Sequence, residues 1–165
     1  MTQRYEPRLH PLLPAAEITA MPEVTRPHPL NVRAVRHTRS LGDATGLSRL
    51  GVHLARLRGG DSSTELHVHA NAEEFIYVLS GRGVAHIGEE CIAVGPGDFM
   101  GFAAGGPAHA LHNPHDEDLV YLMGGERVSE DEVRYPRVRK RLLVSAGQER
   151  MMDVADDSEV GASPV

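Results

Sequence analysis

Glu65-Leu66-His67-Val68-His69-Ala70-Asn71-Ala72-Glu73-Glu74-Phe75-Ile76-Tyr77-Val78-Leu79-Ser80-Gly81 carries two β signals separated by a tight connection. Residues 75–79 are aromatic, β-branched or aliphatic without a break, the composition of a strand with a buried face. Residues 64–69 alternate, so His67 and His69 share one face while Leu66 and Val68 take the other. Outward from this segment, residues 50–124 split into further short apolar runs at 51–57, 84–87, 91–94, 98–102, 108–111 and 119–123. Arg58-Gly59-Gly60-Asp61, Ser80-Gly81-Arg82-Gly83, Gly88-Glu89-Glu90, Gly95-Pro96-Gly97, Gly105-Gly106-Pro107 and Asn113-Pro114 punctuate them. Strands recurring roughly every 8–12 residues predict an all-β sandwich or barrel. No intervening stretch has the length and period of a crossover helix, so the sheet is antiparallel and a jelly roll is expected.

Composition sets the remaining bounds. The chain has 165 residues, enough for one domain with short arms, and 41% of them are hydrophobic. Aromatics make up 4% and Trp is absent, so the core must rest on aliphatic residues. A net charge of -6 argues against nucleic acid as a partner. No run approaches the roughly 18 apolar residues of a membrane span, and the N-terminus lacks the apolar centre of a signal peptide. The single cysteine, Cys91, excludes an internal disulfide and reads as a small buried hydrophobe. A cytoplasmic protein is expected. Against this ordinary background stand ten histidines.

Three parts follow: an arm at 1–40, the β-barrel at 41–128 and an extension at 129–165. Pro7, Pro11, Pro14, Pro22, Pro27 and Pro29 prevent a long helix or a central strand in the arm. One short helical turn near Ala15-Ala16-Glu17 is compatible with them. Ser129-Glu130-Asp131-Glu132 fits a capping box and predicts a helical turn. Arg134, Arg137, Arg139, Lys140 and Arg141 form a basic cluster, read as a solvated face rather than an anion grip. Beyond about residue 145 the acidic, small-residue composition predicts a disordered tail.

His67 and His69 make a two-imidazole pincer, and Glu74 opens the next strand after the Ala70-Asn71-Ala72 turn. Two imidazoles and a carboxylate are the ligand set of many open metal sites. His109 offers a fourth ligand. Glu73 is the rival to Glu74; its neighbour is favoured because it directly precedes the apolar run. Alternation then places Ile76 and Val78 on the inner face with Glu74 and leaves Tyr77 outside. His53 and His86 lie on expected strands and face either the cavity or solvent. His112 and His115 are expected at a solvent-facing rim, and His10, His28 and His37 carry no pattern.

These residues resemble a known family. His-x-His-x4-Glu-x6-Gly, met by His67, His69, Glu74 and Gly81, is similar to the first cupin motif, and Gly106-x2-His109-x3-Asn113 after Pro96-Gly97-Asp98 is similar to the second. The sequence departs from the family pattern at Ala104, where a proline is usual, and at Gly60, one residue further from His67. Neither change alters the ligand spacing. The resemblance implies a small single-domain, type-2 cupin: a double-stranded β-helix holding one divalent transition metal on His67, His69, Glu74 and His109. It also implies a homodimer, to which the proline-rich arm contributes.

Mixed nitrogen and oxygen ligands without thiolate suit Fe, Mn, Ni, Co or Zn. Four protein ligands leave two octahedral positions for a small oxygenated ligand or substrate, with Ile76, Val78, Met100 and Leu111 expected to line the pocket. The expected function is a metalloenzyme with isomerase or dioxygenase type chemistry. The alternative is a non-catalytic module that binds or senses a small molecule. Glu73 and Tyr121 are candidate bases, and Arg56 and Arg82 candidate phosphate holders.

Overall fold

Residues 10–154 are described by the computed structural model. Along them the chain forms α1 (Ala15–Ala20), β1 (Val24–His28), β2 (Asn31–Ser40), α2 (Leu41–Ala44), β3 (Leu50–Leu57), β4 (Val68–His69) and β5 (Glu74–Ser80). There follow β6 (Gly83–Ile87), β7 (Glu90–Val94), β8 (Phe99–Phe102), β9 (His109–His112) and β10 (Leu119–Glu126). The chain continues through β11 (Glu130–Tyr135), a 3-10 turn at Pro136–Val138, β12 (Lys140–Ser145) and β13 (Gln148–Asp153).

All strand pairs in the ladders are antiparallel. One layer is a six-stranded sheet in the order β1-β2-β3-β10-β5-β8. The other comprises β13-β12-β11-β4 and β7-β6-β9, which meet where His67 bridges His109. Period-2 alternation drives the closure. In β5, Ile76 and Val78 are buried and Tyr77 between them is 39% exposed. Their inward side chains meet Leu57, Leu119 and Tyr121 from the same sheet and Ala85 and Leu111 from the facing layer. This is a jelly roll whose core is aliphatic, as the composition requires.

The flanks differ from expectation. The helical turn at α1 is present, and Pro27 lies in β1 at the edge of the sheet, where its missing N–H costs no ladder bond. Residues 31–40, however, are strand β2, which bonds both β1 and β3 rather than lying as an arm. The capping box at Ser129 starts no helix. Asp131, Val133 and Tyr135 alternate inward, and β11 takes up the free edge of β4. Residues 148–153, expected within a disordered tail, pair along their whole length with β12. The basic cluster is spread over β11, the 3-10 turn and β12, with Arg134 on Glu132 at 2.7 Å and Lys140 on Asp153 at 2.6 Å. The first nine residues of the arm and the acidic residues 155–165 lie outside the described residues. Among the described residues no helix is long and apolar enough to cross a membrane.

Two local features hold the barrel's ends. Gly81 turns β5 into β6 at φ +78°, and a Cβ there would lie 2.3 Å from the Asp118 carbonyl oxygen. Only glycine allows both the left-handed backbone and the close approach of the start of β10. At the flank, Arg56 on β3 binds both oxygens of Glu23 at 3.1 and 2.7 Å, and Asp118 at 2.8 Å. Arg39 adds a contact to Glu23 at 3.3 Å and donates to the Met21 carbonyl. The segment before β1 is thereby tied to the barrel wall.

Gly81→Ala is expected to destabilise the fold by at least about 2 kcal/mol in urea unfolding, since strain and clash add. The Arg56 hydrogen bond holds the Glu23 carboxyl below its ordinary range, against the opposing effect of burial. A depressed carboxylate contributes stability above its unfolded value of 4.5 and loses it as pH falls through the folded one. Glu23→Gln is therefore expected to cost roughly 1 kcal/mol at pH 7. The gap to the native chain should narrow as unfolding is repeated at progressively lower pH below that value.

Candidate metal centre

His67 and His109 stand directly opposite each other, each backbone N–H donating to the other's carbonyl, at 3.1 and 2.7 Å. This paired position brings side chains from distant parts of the sequence onto one face. His69, two residues on, keeps that face. Glu74 arrives from the opposite layer, at the start of β5, where its register partners are Gly125 and Phe102. A Cβ on Gly125 would fall 3.1 Å from Glu74 Cγ, so the glycine makes the room that the carboxylate occupies. Phe102 lies flat on the His109 ring, with centroids 3.5 Å apart and planes inclined by 1°.

The three imidazoles converge on one oxygen. Glu74 Oε2 lies 3.1 Å from His109 Nε2, 3.4 Å from His67 Nε2 and 3.5 Å from His69 Nε2. One ligand atom from each of His67, His69 and Glu74 lies within 4.8 Å of the others, a spacing that one cation can bridge. The opposite ring nitrogens settle two of the tautomers. His67 Nδ1 is 3.1 Å from the Glu65 carbonyl and His69 Nδ1 is 2.5 Å from Asp131 Oδ2. Both partners only accept, so each Nδ1 carries the proton and, in the neutral ring, each Nε2 presents a lone pair toward Glu74. Lone pairs and a carboxylate oxygen facing one another repel unless a cation lies among them. The donor set thus fits a divalent metal.

Electrostatics point the same way. Burial pushes the His67 imidazole down, only partly offset by Glu74, and so favours its neutral, ligating form. Burial pushes Glu74 up, but the surrounding imidazoles, His109 and His67 foremost, outweigh it and hold the carboxyl well below the ordinary range. Asp131 is also held low: burial opposes ionisation, but His69 and the backbone N–H groups of Asn71 and Glu132 together prevail. An ionised Asp131 fixes the His69 ring and its tautomer. His109 has no such support, because its Nδ1 is buried without a partner.

The cluster opens into a cavity of about 360 Å³ between the layers. Of the expected lining residues, Ile76 is on its wall, whereas Val78, Met100 and Leu111 belong to the core. Val78 and Leu111 lie two residues beyond Glu74's inward neighbour Ile76 and beyond His109, deeper in the barrel, and Met100 is packed as Ile76's partner on β8. Glu73 is corrected as a base: period 2 turns it to the outer face, where it is exposed. Tyr121 does reach the cavity but is not a base either. It is fully buried, and burial pushes its hydroxyl up to about 12, so it remains a phenol that donates. Arg56 is committed to Glu23 and Asp118, and Arg82 lines a separate shallow cleft with His115, so neither faces the centre. His53 shares the inner face beside Met123 without lining the cavity, and exposed Cys91 contacts His86 at 3.2 Å on the outer surface.

Several cavity residues escape a reading of the sequence. His28 and Arg36 come from the supposed arm, and Asp131, Val133, Tyr135, Leu142 and Glu149 from the supposed helix and tail. His28 meets Tyr135 edge-on with centroids 5.4 Å apart. The inward alternation of Asp131, Val133 and Tyr135 was the one available signal for the C-terminal set.

The family profile for the cupin domain matches residues 53–125. A proposed sugar phosphate isomerase from Acidithiobacillus ferrooxidans is 41% identical, covering 92% of this chain and 97% of its own, with a TM-score of 0.86. A sugar phosphate isomerase from a cupin superfamily, from Silicibacter pomeroyi, is 27% identical over 86% of this chain and 94% of its own, with a TM-score of 0.73. A predicted oxalate decarboxylase from Thermotoga maritima shares the fold, at 22% identity and a TM-score of 0.57, over 67% of this chain and 96% of its own. No match is found among curated protein sequences. With both motifs folded onto one face of a jelly roll and the similarity extending along nearly the whole chain, this protein belongs to the cupin superfamily, as a small type-2 cupin.

Proposed function

We propose that this protein is a divalent-metal enzyme of isomerase type acting on a small oxygenated metabolite, with His67, His69, Glu74 and His109 as the protein ligands. The observation that carries the reading is the convergence of three Nε2 atoms on Glu74 Oε2, two of them left with a free lone pair because the ring proton sits on Nδ1, hydrogen-bonded to the Glu65 carbonyl or to Asp131. A bound Fe, Mn, Ni, Co or Zn ion would supply a Lewis acid that polarises a carbonyl or hydroxyl oxygen. The chain's own residues then do the rest. Ile76, Phe102 and Met123 exclude water from the inner wall, which strengthens every charge interaction there. Tyr121 offers a hydroxyl proton to a substrate oxygen. The names of two solved structures similar to nearly the whole of this chain favour isomerisation over oxidation, and sugar phosphates as the compounds to try first.

Protein purified without chelator is expected to carry about one transition-metal ion per chain by elemental analysis. His67→Ala and His109→Ala should each lose that metal while keeping a β-type circular dichroism spectrum; retention in both overturns the ligand assignment. Asp131→Asn keeps the shape but removes the charge behind His69. It should weaken metal affinity roughly 10–100-fold in competition with a chelator. Incubation of the metal-loaded protein with aldose and ketose phosphates in D2O, followed by NMR, should show interconversion. A thermal shift without product would instead support a binding module.

A further inference from the structure

Arg36 lies on the inward side of β2, between buried Ala34 and Thr38, and is one of the residues that line the cavity. Its Nε is buried with no partner, and Nη1 reaches only Met123 Sδ, at 3.6 Å. The hydroxyl of Tyr121, fully buried on the same cavity, is also without a partner. Two orphaned donors in one enclosed space are costly unless something that accepts completes them. The chain's own acids do not. Glu74 and Asp131 are engaged by imidazoles, Glu126 accepts from the Glu73 N–H, and Glu149 is exposed. The cavity's other guanidinium, Arg127, is bound to Asp43. Arg36 is therefore the cation on this wall that, among the described residues, has no carboxylate on it. It stands close enough for its charge to act on Tyr121 and Tyr135, both of which also feel Glu74, and on His28, which also feels His67. Arg36 and the metal ligands thus look onto one chamber from different strands.

We infer that Arg36 and Tyr121 form an anion subsite that selects substrates bearing a carboxylate or phosphate and holds that group while the oxygenated carbons face the metal ligands. The inference rests on the proposed function for the role of the metal ligands, but the subsite itself belongs to the chain. A guanidinium N–H and a phenol O–H are matched to the oxygens of such an anion, and the low-dielectric wall strengthens both bonds. A neutral sugar or diketone can accept from these donors but brings no charge to the guanidinium, and so would be held more weakly.

Calorimetric titration with inorganic phosphate and, separately, with glycolate distinguishes the two anion sources. Both titrations use the Mn²⁺-loaded protein and a metal-stripped control. The native chain is expected to bind at least one of them in both forms. Arg36→Gln should weaken that binding roughly tenfold or more, with Arg36→Lys intermediate and Tyr121→Phe weakened several-fold. Metal content and circular dichroism should be unchanged in all three variants. Tighter binding of phosphate marks a phosphate monoester as the substrate class, and tighter binding of glycolate a carboxylate. The subsite is overturned if the native chain binds neither anion, or if folded, metal-holding Arg36→Gln binds them as the native chain does. Failure of the metal assignment reads out separately, as metal retained in His67→Ala and His109→Ala.

Discussion

Two backbone hydrogen bonds between His67 and His109 are the constraint from which the rest of the centre follows. They join the two smaller sheets into one layer and set two imidazoles from remote parts of the chain side by side. A slip of one residue would turn either ring to the opposite face, so the register that closes the barrel also builds the donor set. Glu74 completes the set from the facing layer because Gly125 leaves space beside it and Phe102 packs the His109 ring from the other side. Fold and site therefore share their determinants. Loss of the inter-layer packing would scatter the donors as well as expose the core.

The segments outside the family's minimal barrel complete the chamber rather than decorate it. Asp131 on β11 orients His69, and Val133 and Tyr135 continue the same inward row over the cavity mouth. On the other side β2 contributes Arg36 and β1 ends at His28, which meets Tyr135 edge-on. A barrel of this family reduced to residues 53–125 would keep the four proposed ligands but lose Asp131, Arg36 and His28. The four proposed ligands thus sit on or beside the central strands, whereas Asp131 behind His69 and the cavity residues Arg36 and His28 come from the flanks.

Seven of the eight central strands were legible within a few residues because their turns are marked by glycine, proline and asparagine and their inner positions are apolar; of the strand expected at 64–69 only Val68–His69 forms, residues 63–66 bending instead. Ile76, Tyr77 and Val78 fall as alternation places them. The flanking strands were not legible because their residues are mostly charged. Arg33, Arg36 and Arg39 interrupt β2, and Glu130, Asp131, Glu132 and Arg134 dominate β11, so local composition favours an arm or a helix start. Pairing overrides it: β11 finds the open edge of β4, and the charges are absorbed by contacts such as Arg134–Glu132 and His69–Asp131. Glu73 and Tyr121 show a second limit. Whether a polar group is an exposed carboxylate or a buried phenol depends on depth in the barrel, which alternation alone does not report.

By itself, the amino-acid sequence determined the jelly roll, the shared face of His67 and His69, and the candidacy of Glu74 and His109, since each depends on period-2 geometry and spacing along a strand. Only the tertiary structure decided which nitrogen of His67 and His69 is free, that Asp131 stands behind one of them, and that Arg36 and Tyr121 share the chamber with unpaired donors. Those facts arise from contacts between residues dozens of positions apart. Hydrogen bonding and desolvation act through space, and chain order records neither.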